Sequence, residues 1–179
     1  MKKWRVDVNG RQDAILMLSA VNLPGGVQRR KTEEDELKMR SFFQENDWIS
    51  AEVQQQHSDG SLALHTRSLR YGRLEGGVHI SIPSGLVQRA RTSFVQFADE
   101  GVEVVLGCNG YVWIGGLPDA KATMSMLHEQ ITRVRNCILS LVRRGDFVSD
   151  ASLSAEIART RMMAPVEIAY LRPILAVVD

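Results

Sequence analysis

A chain of 179 residues with 44% apolar side chains holds one medium domain or two small ones around a real core. Its 22 Lys+Arg and 21 Asp+Glu nearly cancel to a formal charge of +1. That balance argues against a free-standing basic nucleic-acid binder, so any contact with RNA must come from local patches or alongside partners.

In chain order, Trp4, Val6 and Val8 alternate with polar residues and predict a half-buried strand. Asn9-Gly10 signals a hairpin, because both residues tolerate positive φ. A second strand follows over about 14–18 and stops before Pro24-Gly25-Gly26. Thr32, with Asp35 three residues on, predicts a capped short helix. The stretch 48–55 reads as a third strand with Ile49, Ala51 and Val53 on one face. Ser58-Asp59-Gly60 makes its turn, and 61–66 returns as a fourth strand. Glycines 72, 76 and 77 then mark a domain boundary around a basic segment, 67–73.

The second half changes character. Val78, Ile80 and Ile82 predict a strand, and Ser84 a short helix running toward Arg91. Strands over 102–106 and 111–114 flank Gly107-Cys108-Asn109-Gly110, with positive φ expected at Asn109 and Gly110. Leu127, Ile131, Val134, Ile138 and Leu141 form one apolar stripe of a long helix that ends at Gly145. Asp150 is the expected cap of a further helix, and Pro173 forbids one continuous helix through the tail. The sum is an α+β chain: a partial OB-fold barrel lacking its first strand, then a KH-type layer of sheet and helix. The expected limits are 1–73 for the OB unit, 77–160 for the KH-type unit and 161–179 for a C-terminal tail.

Chemistry-bearing patterns are sparse. Cys108 and Cys137 form no Cys-x-x-Cys pair, which points to a reducing compartment. His57, His65, His79 and His128 are scattered, without zinc-ligand spacing. The charged start, Met1-Lys2-Lys3, and the lack of a long apolar run predict neither signal peptide nor membrane span. His57/Asp59 and His128/Glu129 have no nucleophile or metal partner, so no catalytic residue is assigned.

Several ordered stretches resemble one family: Trp4-Arg5-Val6, Leu23-Pro24-Gly25-Gly26 and the run from Glu34 to Arg40. Further along come Ile49-Ser50-Ala51-Glu52-Val53-Gln54, Leu64-His65-Thr66-Arg67-Ser68-Leu69, Tyr71-Gly72, Gly107 through Ile114, and Arg135-Asn136-Cys137-Ile138. The resemblance, over about 4–145, is to the eukaryotic RNA exosome cap subunit with S-one-type OB and KH domains, the ribosomal RNA-processing protein four class. It implies a non-catalytic subunit without cofactor that sits with other caps on RNase PH-like ring subunits. It also implies binding of single-stranded RNA for 3′-to-5′ rRNA maturation and turnover, in the nucleus, nucleolus and cytoplasm. The family opens its barrel with a strand ahead of Trp4, and an N-terminal domain precedes that strand. This sequence therefore reads as N-terminally truncated.

RNA-contact candidates are the basic clusters and their neighbouring rings. Arg67, Arg70 and Arg73, spaced three apart, are expected to converge, with His65 and Tyr71 as stacking surfaces beside them. Arg89/Arg91 and Arg29-Arg30-Lys31 are secondary candidates. Arg143/Arg144 read as a solvated face or a salt bridge at a helix end. Trp4 and Trp113 read as core or interface residues. Gly107 to Gly110 reads as a turn, not as the KH phosphate clamp, which joins helices. The alternative is a stand-alone OB/KH module such as a ribosome-assembly or translation factor, and a nuclease is a third reading.

Overall fold

The computed structural model describes residues 2–22, 31–118 and 123–170. The chain divides into two compact units, with the break between Glu75 and Gly76.

In the first unit, β1 (Lys3–Val6) runs antiparallel to β2 (Ala14–Val21), with Trp4 opposite Leu16. β2 pairs in parallel with β5 (Leu62–Thr66), Leu16 opposite Leu64, and β5 pairs antiparallel with β4 (Glu52–Gln56). The resulting sheet has the order β1-β2-β5-β4, so β1 and β4 are its edges. Alternation fixes the faces. Ala14, Leu16 and Leu18 point inward and are buried, and Ala14 and Leu16 pack with Phe43, Val21 and Leu64. Trp4 closes this core as the sequence predicts: its indole N–H donates to the Phe43 carbonyl at 3.2 Å and its ring meets Phe43 edge-on at 5.4 Å. α1 (Glu33–Leu37) starts where expected, with the Asp35 carboxylate accepting from the Thr32 N–H at 2.9 Å. α2 (Met39–Phe42) follows it.

The expected third strand is two pieces. β3 (Ile49–Ser50) pairs with β6 (Gly72–Arg73), whereas β4 pairs with β5. The chain changes neighbour at Ala51, as strands do at the corner of a curved sheet. The second strand runs past 18 to Val21, and Asn9, at φ 55, takes the left-handed turn within the connection 7–13. Pro24-Gly25-Gly26 lies outside the described residues.

The second unit is an antiparallel sheet, order β7-β10-β9-β8, formed by β7 (Val78–Ser81), β8 (Phe94–Phe97), β9 (Val102–Leu106) and β10 (Tyr111–Gly116). α3 (Met124–Arg144) covers one face, burying Ile131, Val134, Ile138 and Leu141 against Val104, Val112 and Ile114. Gly145, at φ 76, ends it in the left-handed cap. Three expectations need correction. The helix from Ser84 is only a 3₁₀ turn, Ser84–Leu86, because Val87 is drawn into a bridge with Val148, and β8 was not foreseen. Asn109 does not take positive φ; its side-chain oxygen accepts from the Tyr111 N–H at 3.2 Å, and only Gly110 is left-handed, at φ 90. The cap of α4 (Asp150–Arg159) is Ser149, whose hydroxyl accepts from the Ser152 N–H.

The core also continues beyond residue 160. α5 (Pro165–Ala169) buries Ile168 completely. Polar side chains of α3 latch this stretch: Arg133 donates to the carbonyls of Thr160 and Met163, both at 2.9 Å, and Asn136 to that of Pro165 at 2.8 Å. Beside them Glu156, 4% exposed, is gripped by Arg144 at 3.0 Å and Arg159 at 2.7 Å. Burial alone would raise its pKa, but the two guanidiniums outweigh it and hold the carboxyl at about 2, below its ordinary 4.5.

Two predictions follow from these contacts. A Cβ at Gly110 would lie 2.2 Å from the Ile82 carbonyl, on a left-handed backbone. Gly110→Val should therefore cost at least about 2 kcal/mol of stability in denaturant titration. A depressed folded-state pKa stabilises above the unfolded value and fades below it. The Glu156 contribution should be whole above pH 4.5 and vanish as pH falls through about 2. Glu156→Gln should lose about 3 kcal/mol at pH 7, and its melting temperature should fall less than that of the parent on acidification.

Candidate nucleic-acid interface

The basic segment begins where β5 leaves the sheet. His65 is the outward residue between inward Leu64 and Thr66, and its Nδ1 accepts from the Arg67 N–H at 3.4 Å. The Arg67 carbonyl in turn accepts from the Asn22 side-chain amide. A tight turn closes when the Tyr71 N–H donates to the Ser68 carbonyl at 3.0 Å, and the Ser68 hydroxyl accepts from the Arg70 N–H at 3.4 Å. This turn folds Arg70 and Tyr71 back beside the end of β5, with Arg67 and Arg70 exposed.

At the centre sits Glu52, the cross-strand partner of His65 on β4. Its carboxylate is 3.9 Å from His65 Nε2. Tyr71 stands close enough to feel it: burial and then the Glu52 charge push the tyrosine pKa up, and Arg70 pulls it partly back. The structure thus groups His65, Arg67, Arg70 and Tyr71 around a carboxylate that sequence reasoning did not single out.

Arg73 is not part of the group. It turns to Asp47 at 3.3 Å and Glu75 at 3.2 Å, because β6 pairs with β3 and carries it to the other sheet. The expected convergence of three arginines is therefore a pair plus one structural residue. Lys31 is half-buried ahead of α1, and Arg29 and Arg30 lie outside the described residues. Arg89 and Arg91 lie in the second unit, on an exposed stretch between the 3₁₀ turn and β8. No pair of helices flanks them, so the phosphate-clamping geometry of a KH loop is missing there.

The registers expose a second feature. Lys3 lies opposite Met17, Arg5 opposite Ile15, and Ile15 beside Ala63. With Ala14, Leu16 and Leu64 inward, these residues and His65 share the outer face. Its middle is partly apolar, with Met17 40% exposed. One edge is basic, although Arg5 is shared with Asp13 at 3.0 Å. The other edge carries Glu52, Tyr71, Arg67 and Arg70. The continuous apolar run 14–18 carries no alternation to show that Ile15 and Met17 face outward.

Among the described residues no His/Cys/Asp/Glu group could hold a metal, and no helix is long and apolar enough to cross a membrane. Cys137 is buried beside the Thr160 hydroxyl at 3.3 Å, and burial raises its pKa, so it is a packed thiol and not a nucleophile.

Comparison with known proteins fits this geometry. Residues 1–55 match the S1 domain of RRP4, and residues 77–119 match a KH domain. The chain is therefore a two-domain S1–KH protein. Its relatives carry one name. The chain is 56% identical over 113 residues to the exosome complex component rrp4 of Schizosaccharomyces pombe, covering 63% of this chain and 34% of that one. To exosome complex component RRP4 of Bos taurus it is 44% identical over 164 residues, covering 85% and 56%. To that of Saccharomyces cerevisiae it is 52% identical over 113 residues, covering 63% and 31%. The chain is similar to RRP4 proteins along both matched segments, and it spans only part of the length of these relatives. A crystal structure described as an exosome complex RNA-binding protein shares the fold, at TM-score 0.56 and 14% identity, covering 89% of this chain and 87% of that one. Residues 65–73 fall between the two matched segments.

The division among the arginines is testable. Arg73→Ala removes a contact to the largely buried Asp47, whose side chain is 12% exposed, and should cost about 1 kcal/mol of stability. Arg67→Ala and Arg70→Ala should leave the melting temperature within a degree or two.

Proposed function

We propose that this chain is a non-catalytic, RNA-contacting cap subunit of the RNA exosome, and that it meets single-stranded RNA on the outer face of its S1 unit. The observation that carries the reading is the composition of that face. A partly apolar strip (Ile15, Met17, Ala63) runs between Lys3 and Arg5 on one side and His65, Tyr71, Arg67 and Arg70 on the other. Single strands without fixed sequence bind by stacking bases on rings, here His65 and Tyr71, while cations follow the backbone. Near-zero net charge suits a subunit whose RNA is shared with neighbouring chains. Similarity to proteins named exosome complex components supports a place in such a complex. In this reading the chain assembles with RNase PH-like ring subunits and other caps and serves 3′-to-5′ maturation and turnover of RNA in nucleus, nucleolus and cytoplasm. Arg89 and Arg91 remain secondary contacts in this reading.

Salt dependence is the experiment. Replacing Arg67 and Arg70 by Ala should flatten the slope of log affinity for a single-stranded RNA against log salt by about 1.4, at about 0.7 per phosphate contact. Arg73→Ala should leave the slope alone. An unchanged slope in the double variant, with ring subunits still co-purifying, would remove the two arginines from the RNA path. Purified chain incubated with labelled RNA and Mg²⁺ should leave it intact; degradation that tracks the protein peak would overturn the non-catalytic reading.

A further inference from the structure

Glu52 is out of place on a surface meant only for phosphates. It lies between His65 and Tyr71, its side chain is 56% exposed, and it brings negative charge to the end of the strip where Arg67 and Arg70 stand. A carboxylate has two oxygens and about four acceptor positions, and no donor. His65 Nε2 stands off at 3.9 Å. Acceptor capacity therefore remains on the exposed side.

We infer that Glu52 makes this end of the strip a base-reading position that selects guanine from single-stranded RNA. The inference rests on the outer-face RNA reading above and goes beyond it to base identity. In a single strand the Watson–Crick edges are open. Guanine presents two adjacent donors there, N1–H and the N2 amino group, which match the two oxygens of one carboxylate. Adenine and cytosine present one amino donor beside an unprotonated ring nitrogen. Uracil presents one N–H flanked by two carbonyls. Against a carboxylate each of those three places an acceptor face to face with negative charge. The neighbouring groups support the geometry. The cross-strand pairing fixes the backbone of Glu52 opposite His65, whose Nε2 is 3.9 Å from the carboxylate, and Tyr71 is near enough to feel its charge. Arg67 and Arg70 stand where the adjoining phosphates would run.

The test is fluorescence anisotropy of the 179-residue chain with three labelled RNA decamers: all uridine, one central guanosine, and one central inosine, which keeps N1–H but lacks the N2 amino group. The guanosine decamer should bind roughly tenfold tighter than the uridine decamer, the size of a good two-point base contact. Inosine should forfeit most of that gain. Glu52→Gln, an exposed substitution that should not shift the melting temperature, should bind all three alike and the uridine decamer as well as or better than the parent. Tyr71→Phe should keep part of the preference. Equal binding of the three decamers by the parent chain would overturn the role of Glu52 and leave the RNA surface standing. A guanosine preference that survives in Glu52→Gln would overturn it too. Failure to bind any decamer would remove the surface itself, and this inference with it.

Discussion

Parallel pairing of β2 with β5 is the constraint on which the first unit depends. The two strands are distant in sequence, yet Leu16 lies opposite Leu64 and both are buried. A side-chain period of two allows no slip: moving the register by one residue would turn Leu64 out and His65 in. Once Leu16 and Leu64 are inside, Ile15, Met17, Ala63 and His65 must be outside. The candidate RNA surface is thus the reverse side of the hydrophobic core. The same pairing carries β4 along, which brings Glu52 to His65, and it releases the chain after Thr66 into the turn that returns Tyr71.

The second unit is held by different physics. Its sheet, α3 and the helices after it share one apolar core, and polar groups fasten the segment after α3 as well. Arg133 donates to the carbonyls of Thr160, the C-cap of α4, and of Met163 beyond it, where a helix C-terminus leaves acceptors without intrahelical partners, and Asn136 donates to that of Pro165 at the start of α5. Arg144 and Arg159 close on Glu156 from two sides. Such buried pairs tolerate loss of one partner poorly, because the remaining charge stays desolvated. This arrangement explains why a basic pair at a helix end, Arg143/Arg144, has no freedom for a ligand: Arg144 serves Glu156 and Asp146, and Arg143 donates to the Ala169 carbonyl.

Local patterns were legible in the sequence and partner choice was not. The stripe Leu127 to Leu141, the Gly145 cap and the Gly60 turn all follow from spacing and φ preference. The break at Ala51 does not, because nothing in the alternation of 48–55 tells that β3 and β4 face different neighbours. β8 was hidden by the expectation of a helix after Ser84; Phe94, Val95 and Phe97 offer no long alternation. At the site, His65 and Tyr71 were readable as rings beside positive charge. Glu52 and the removal of Arg73 were not, since both arise from pairings across the sheet, β4 with β5 and β6 with β3. Lys3, Arg5 and Met17 were readable only as members of strands, without knowledge of which strands would lie side by side.

Backbone amide NMR of the chain titrated with a uridine decamer tests the outer-face surface most directly. The largest shift changes should fall on Ile15, Met17, His65, Arg67, Arg70 and Tyr71, with 88–93 in the second unit changing little. A map centred on 88–93, or one confined to the buried Leu16, Leu64 and Thr66 without their outward neighbours, would contradict the account.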